Sequence, residues 1–131
     1  MNDLIIPASE DSRTPQIEFK KSGELRLSGK SIPENPVEFY QPIIQWIEEL
    51  SKINVPSIRF IVKLEYFNTA SSKMLMVMFK TLERIFMRNN IDVRIAWHYN
   101  AADSDMKETG KDYQSIIKVP FEFVEYKEDL F

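Results

Sequence analysis

Glu65-Tyr66-Phe67-Asn68-Thr69-Ala70-Ser71-Ser72-Lys73 is where a β-rich run gives way to a long helical pattern. Upstream, Ile58, Phe60, Val62 and Leu64 alternate with Arg59, Lys63 and Glu65, which predicts a central strand over Ser57 to Phe67. Downstream, taking Leu75 as the centre of a face at 100° per residue brings Met78, Phe79, Leu82, Ile85 and Phe86 alongside it. A helix is therefore expected from Thr69 to about Arg88, stopped by Asn89-Asn90. A strand running into a helix is the repeating unit of α/β proteins, so this junction sets the fold class.

The flanking segments fit that class. Ile17-Glu18-Phe19 and Leu25-Arg26-Leu27 alternate around Lys21-Ser22-Gly23-Glu24 and read as a hairpin. Pro33-Glu34-Asn35-Pro36 reads as a helix entry with Asn35 as N-cap and Pro36 at the first helical position. Phe39, Tyr40, Ile43, Trp46, Ile47 and Leu50 follow on one face, with Pro42 expected to kink or restart the first turn. Asn54-Val55-Pro56 closes this helix. After the second helix, Ile91 to Trp97 alternates as another strand, Asp103 to Gln114 is a weakly helical polar stretch, and Val119 to Val124 reads as an edge strand. The expected order is β-β-α-β-α-β-(α)-(β), an α/β sandwich of one mixed sheet with two long helices packed mainly on one face, as a single domain over residues 1–131.

Composition narrows the function. The chain has 131 residues, 44% hydrophobic and 12% aromatic, enough for one buried core. Its net charge of -3 argues against a nucleic-acid or anionic-membrane binder. Cysteine is absent, which removes disulfides, thiol nucleophiles and thiolate metal sites. The lead Met1-Asn2-Asp3-Leu4-Ile5-Ile6-Pro7 has no basic n-region, no stretch approaches a membrane span, and a cytoplasmic location is the default. The three glycines, Gly23, Gly29 and Gly110, are scattered, so no phosphate-cradling loop is expected.

Candidate chemistry is sparse. His98 is the one histidine; a lone His between Trp97 and Tyr99 reads more readily as structural than as a general base. Asp103 and Asp105 resemble the start of a calcium loop, but Glu108 stands where its glycine should be and the closing glutamate is missing, so a solvated acidic loop is expected and no metal. The second helix carries more. Met74 through Phe79 are six consecutive apolar residues that one face cannot hold. Met76 and Met87 fall on a flank with Thr69, Lys73 and Lys80, which is either a protein-contact stripe or a flank covered by another part of the domain. Thr69 itself stands between two roles, with either Asn68 or Thr69 as the plain helix cap, or Thr69 as a phosphate acceptor.

Three short signatures in order carry a resemblance to a known family: Ser31-Ile32-Pro33-Glu34-Asn35-Pro36, then Tyr66-Phe67-Asn68-Thr69-Ala70-Ser71-Ser72-Lys73, then Trp97-His98-Tyr99. With them the chain resembles the SiaC-type bacterial regulatory phosphoproteins over nearly its whole length. STAS-type anti-sigma-factor antagonists are similar in element order and also place a regulatory hydroxyl where a strand meets a helix. The resemblance implies a non-enzymatic switch without cofactor. In it Thr69 is phosphorylated by a SiaB-type kinase and dephosphorylated by a SiaA-type PP2C-like phosphatase. The unphosphorylated form binds and activates a SiaD-type diguanylate cyclase, linking it to cyclic-di-GMP signalling and biofilm or aggregation behaviour. Asn68, Ser72, Lys73, Met76 and Lys80 form the expected partner-binding set. Ala70 stands where the family often has a small hydroxyl residue, which removes one alternative acceptor. The readings left open beside the switch are a small-molecule-binding or hydrolytic domain using His98 with Tyr99 and nearby carboxylates, and a purely structural subunit.

Overall fold

The computed structural model describes residues 1–89 and 91–128. In chain order the elements are β1 (Leu4–Ile6), β2 (Gln16–Phe19), β3 (Glu24–Ser31), α1 (Pro36–Leu50), β4 (Ser57–Phe67), α2 (Thr69–Asn89), β5 (Asp92–Asn100), α3 (Ser104–Ile116) and β6 (Phe121–Tyr126). The six strands form one sheet in the order β1-β2-β3-β4-β5-β6. The first three are antiparallel neighbours, and β3 to β6 run parallel, each parallel step being bridged by a helix. Short turns suffice for antiparallel neighbours, whereas parallel ones need a crossover.

Alternation along the strands sorts the side chains. Ile17, Phe19, Leu25, Leu27, Ile58, Phe60, Val62, Leu64, Val93, Ile95 and Trp97 join one core with Tyr40, Ile43, Ile47 and Leu50 of α1, Leu75, Met78, Phe79, Leu82 and Ile85 of α2, and Met106 and Tyr113 of α3. The other face carries the exposed Arg26, Arg59, Lys63, Arg94 and Glu122. All three helices thus pack on one face, with α2 between its neighbours. Arg84 of α2 donates to Glu48 of α1 at 2.8 Å, and on the other side Tyr113 of α3 donates to the Ser72 carbonyl at 2.9 Å. Gly110 lets α3 approach closely, because a Cβ there would stand 2.5 Å from Trp97 Cδ1, and Trp97 Nε1 donates to the Met106 carbonyl at 2.9 Å.

The expected architecture is present, with three differences. β1 is an additional strand, pairing Leu4 with Phe19 and Ile6 with Ile17, and held at its start by the Lys21 amide donating to Asp3 Oδ1 at 2.8 Å. Of the two outcomes expected at Pro42, a kink or a restart, the restart does not occur. Pro42 lies inside a helix that runs from Pro36 to Leu50 on an exposed position, and the carbonyl its missing N–H would have used belongs to the exposed Glu38, where water can serve it. The weakly helical stretch is a full helix whose cap is Asp103, with Oδ1 accepting from the Met106 amide at 3.0 Å, so Asp103 is a structural cap within the expected acidic loop. Of the expected stop, Asn89 ends α2 and Asn90 lies outside the described residues.

Candidate switch site at the start of the central helix

The chain leaves β4 at Phe67 and enters α2 within one residue, and Asn68 makes that possible. Its Oδ1 accepts from the Ser71 amide at 2.9 Å, its carbonyl accepts from the Ser72 amide at 2.9 Å, and its own amide donates to the Ser31 carbonyl at 3.2 Å. Asn68 is therefore the N-cap, and Thr69 is the first helical residue.

The three hydroxyls at the junction then separate. Ser71 is fully buried; its Oγ donates to the Ser31 carbonyl at 3.0 Å and accepts from Ser31 Oγ at 2.9 Å. Since Ser31 spends its proton on Ser71, the 2.6 Å contact between Ser31 Oγ and Tyr40 OH has Tyr40 as donor. Burial pushes the Tyr40 phenol up to about 12, more than the Ser31 bond lowers it, so that donor proton is retained across ordinary pH. This chain of hydroxyls ties β3, α1 and the first turn of α2 together. Ser72 is half-buried, and its Oγ donates back to the Thr69 carbonyl at 2.6 Å. Thr69 is exposed, and its hydroxyl has no hydrogen-bond partner among the described residues. Of the two roles open to Thr69, capping is taken by Asn68.

The stripe continuing from Thr69 along α2 is open. Lys73 is exposed and makes no ion pair among the described residues. Met76 is half-buried against the core, Lys80 reaches Glu83 at 3.5 Å, and Met87 is 63% exposed. Lys73, Lys80 and Met87 are exposed on this flank, while Met76 lies partly buried against the core. Val77, one of the six consecutive apolar residues, is 42% exposed and also belongs to this surface. Its position four residues after Lys73 was the available signal. Asn68 and Ser72, both in the expected partner-binding set, are half-buried and bonded within the chain.

His98 is elsewhere. Side chains alternate along β5, so Trp97 and Tyr99 face the helices while His98 faces the opposite side of the sheet, in a 710 Å³ cavity lined by Arg26, Lys63 and Tyr126 among others. Its Nε2 is enclosed without a hydrogen-bond partner. Burial above all, then repulsion from Lys63, Arg59 and Arg26, lowers its pKa and keeps it neutral. The pairing of His98 with Tyr99 needed for a joint site is thus broken by the sheet between them. Among the described residues no group of three or more His, Asp or Glu side chains is placed to hold a metal, and no helix is long and apolar enough to cross a membrane.

A family model described as SiaC family regulatory phosphoprotein matches residues 7–126. The chain belongs to the SiaC family. A curated relative, an uncharacterised protein of Pseudomonas aeruginosa strain UCBPP-PA14, is 27% identical over 121 residues, covering 92% of this chain and 94% of the relative. SiaC of Pseudomonas aeruginosa superposes with a TM-score of 0.86 at 28% identity, over 96% of this chain and all of that one. SiaC solved in complex with the diguanylate cyclase SiaD, of which it is the activator, superposes with a TM-score of 0.87 at 27% identity, over 95% of this chain and 100% of that one. Membership in the SiaC family places the chain among regulatory phosphoproteins. The mixed sheet with its three helices is the SiaC fold.

Proposed function

We propose that this chain is a phospho-switch read at Thr69, whose unphosphorylated form docks on and activates a diguanylate cyclase through the exposed stripe of α2. The observation that carries the proposal is the free Thr69 hydroxyl at the first helical position, with the cap supplied one residue earlier by Asn68. The activator relationship between SiaC and SiaD in Pseudomonas aeruginosa supports a cyclase as the output. A SiaB-type kinase and a SiaA-type PP2C-like phosphatase would set the phosphorylation level, as the family resemblance implies.

A phosphate on Thr69 brings about -1.5 to -2 charges to a helix start, where the backbone field favours them. Lys73, four residues on, is the cation that such a phosphate meets along the helix. Phosphorylation therefore engages Lys73 and gives the stripe of Lys73, Met76, Val77 and Lys80 an anion at its head. Docking is lost through charge and desolvation without any need to unfold the domain.

Mass spectrometry of the protein from its native cells, lysed with a chelator to silence metal-dependent phosphatases, tests the assignment on the tryptic peptide Leu64 to Lys73. Phosphate localised to Thr69 is the expected result. Its persistent absence across growth conditions removes the switch and leaves Thr69 an ordinary first-turn residue.

A further inference from the structure

A groove of 1150 Å³ opens beside the switch. It is lined by the loop after β1 (Asp11, Ser12, Arg13 and Thr14), the segment from Ile32 to Asn35, the first turn of α1 and Asn68. Arg13 is the one cation among its lining residues, against the carboxylates of Asp11, Glu34 and Glu38. Its backbone is unusual. At φ +58° it is the sole non-glycine residue in the left-handed region among the described residues, a conformation that persists only where neighbours enforce it and that recurs at clamps and switch regions.

The enforcing bonds are visible. Ser9 and Thr14 exchange two backbone bonds of 3.1 Å, the Ser12 amide donates to Ser9 Oγ at 3.2 Å, and the Arg13 carbonyl accepts from the Ile32 amide at 2.9 Å. The backbone of Arg13 is thereby fixed while its exposed guanidinium makes no ion pair or hydrogen bond among the described residues. Sheet register fixes where it stands. Ser31 pairs with Phe67, and the next residue on each strand carries the row outward, so Arg13, Ile32 and Asn68 line up across the rim of the sheet. Two strand spacings of about 4.8 Å separate the Arg13 backbone from Asn68, roughly 10 Å in all. Asn68 lines the groove with Arg13 and Thr69 is the residue after it, so an extended arginine and a phosphothreonine are together long enough to span that distance.

We infer that Arg13 joins Lys73 in reading the phosphate on Thr69, its guanidinium reaching the phosphoryl oxygens from the groove side. This rests on the assignment of Thr69 and adds to it a second, structural output. The phosphorylated form presents a groove spanned by the Arg13–phosphate pair, and the unmodified form presents an open groove with acidic walls. Guanidinium suits the task because its planar fork meets phosphate oxygens through two parallel N–H bonds.

The clasp is testable in protein carrying phosphothreonine inserted at position 69 during translation, so that no kinase is required. Its second ionisation is followed by phosphorus NMR against pH, beside Arg13→Gly, Arg13→Lys and Lys73→Ala versions of the same phosphoprotein. Glycine accepts a φ of +58° freely, so Arg13→Gly preserves the loop, which the melting temperature of the unphosphorylated variant checks. With the clasp, the phosphate titrates lower in the parent than in Arg13→Gly by about half a pKa unit or more, and Arg13→Lys retains part of that difference. Amide exchange over residues 9–14 also slows on phosphorylation in the parent but not in Arg13→Gly. Identical titrations for the parent and Arg13→Gly, or a change on Lys73→Ala alone, overturn the clasp and leave the phosphate to α2. Because the phosphate is installed directly, that result is independent of whether cells phosphorylate Thr69.

Discussion

The starts of α2 and α3 are close to being the same local structure. In each, an Asn or Asp side chain accepts from the amide three residues later, Asn68 from Ser71 at 2.9 Å and Asp103 from Met106 at 3.0 Å. In each, the next residue is an exposed hydroxyl at the first helical position, Thr69 or Ser104. The backbone field at the two starts is alike. The nearest cations differ. Ser104 sits in a cavity lined by Glu65, Asp103, Asp105 and Glu128, and its nearest lysine along the helix, Lys107, lies over the Tyr99 ring at 5.7 Å, whereas Thr69 follows a neutral cap and is four residues from Lys73, which makes no ion pair among the described residues. A helix start with a hydroxyl is common; the neighbouring charge decides which one can hold a phosphate.

The largest expected effect tests that contrast directly. Thr69→Ala abolishes phosphate incorporation by the SiaB-type kinase and Ser104→Ala leaves it unchanged, measured by phosphate-affinity gel shift; a loss on Ser104→Ala would erase the distinction. Next in size, Thr69→Asp weakens calorimetric binding to the diguanylate cyclase by about tenfold, or about 1.4 kcal/mol, while Ser104→Asp leaves it within about twofold. Equal binding by Thr69→Asp and the parent would detach charge at this position from docking. The caps themselves are expected to be equivalent. Asn68→Ala and Asp103→Ala each cost about 1 kcal/mol in urea unfolding, and a loss confined to one of them would move the explanation from neighbouring charge to cap strength.

The smallest effect concerns the other face of the sheet. Burial holds the His98 pKa below the ordinary histidine value, so as pH falls the unfolded chain takes up the proton first. His98 therefore adds stability above that ordinary value, and this is lost as pH falls toward the lowered folded one. His98→Gln flattens the stability profile on that acid side and leaves Thr69 phosphorylation and cyclase binding unchanged. A binding defect in His98→Gln at neutral pH would bring the far face into the docking surface.

Much of this was legible in the chain itself. β4 and α2 announce themselves through strict period-2 and period-3.6 patterns, and the core stripe of Leu75, Met78, Phe79, Leu82 and Ile85 is buried as the helical wheel requires. β1 was not legible, since Leu4-Ile5-Ile6 is three residues long and is made a strand by pairing with residues 17 to 19, which local pattern does not encode. The choice of cap between Asn68 and Thr69 turns on a shift of one residue at a helix end, the least certain feature of any sequence pattern. The roles of Ser71 and Ser72 turn on partners 40 residues away or one turn back. The separation of His98 from Tyr99, by contrast, follows from the same alternation that identified β5, and pairing them in one site overlooked it.

The chain has two tryptophans, and the fold assigns them to different duties. Trp97 is fully buried between α2 and α3 with its indole N–H on the Met106 carbonyl, while Trp46 on α1 is partly exposed and donates to the Asn2 carbonyl at 2.9 Å. Detachment of the N-terminal strand would wet Trp46 and leave Trp97 dry; loosening of α3 would do the reverse. Two single-tryptophan variants, Trp46→Phe and Trp97→Phe, would turn native fluorescence into a two-channel record of which side of the domain yields first as it unfolds.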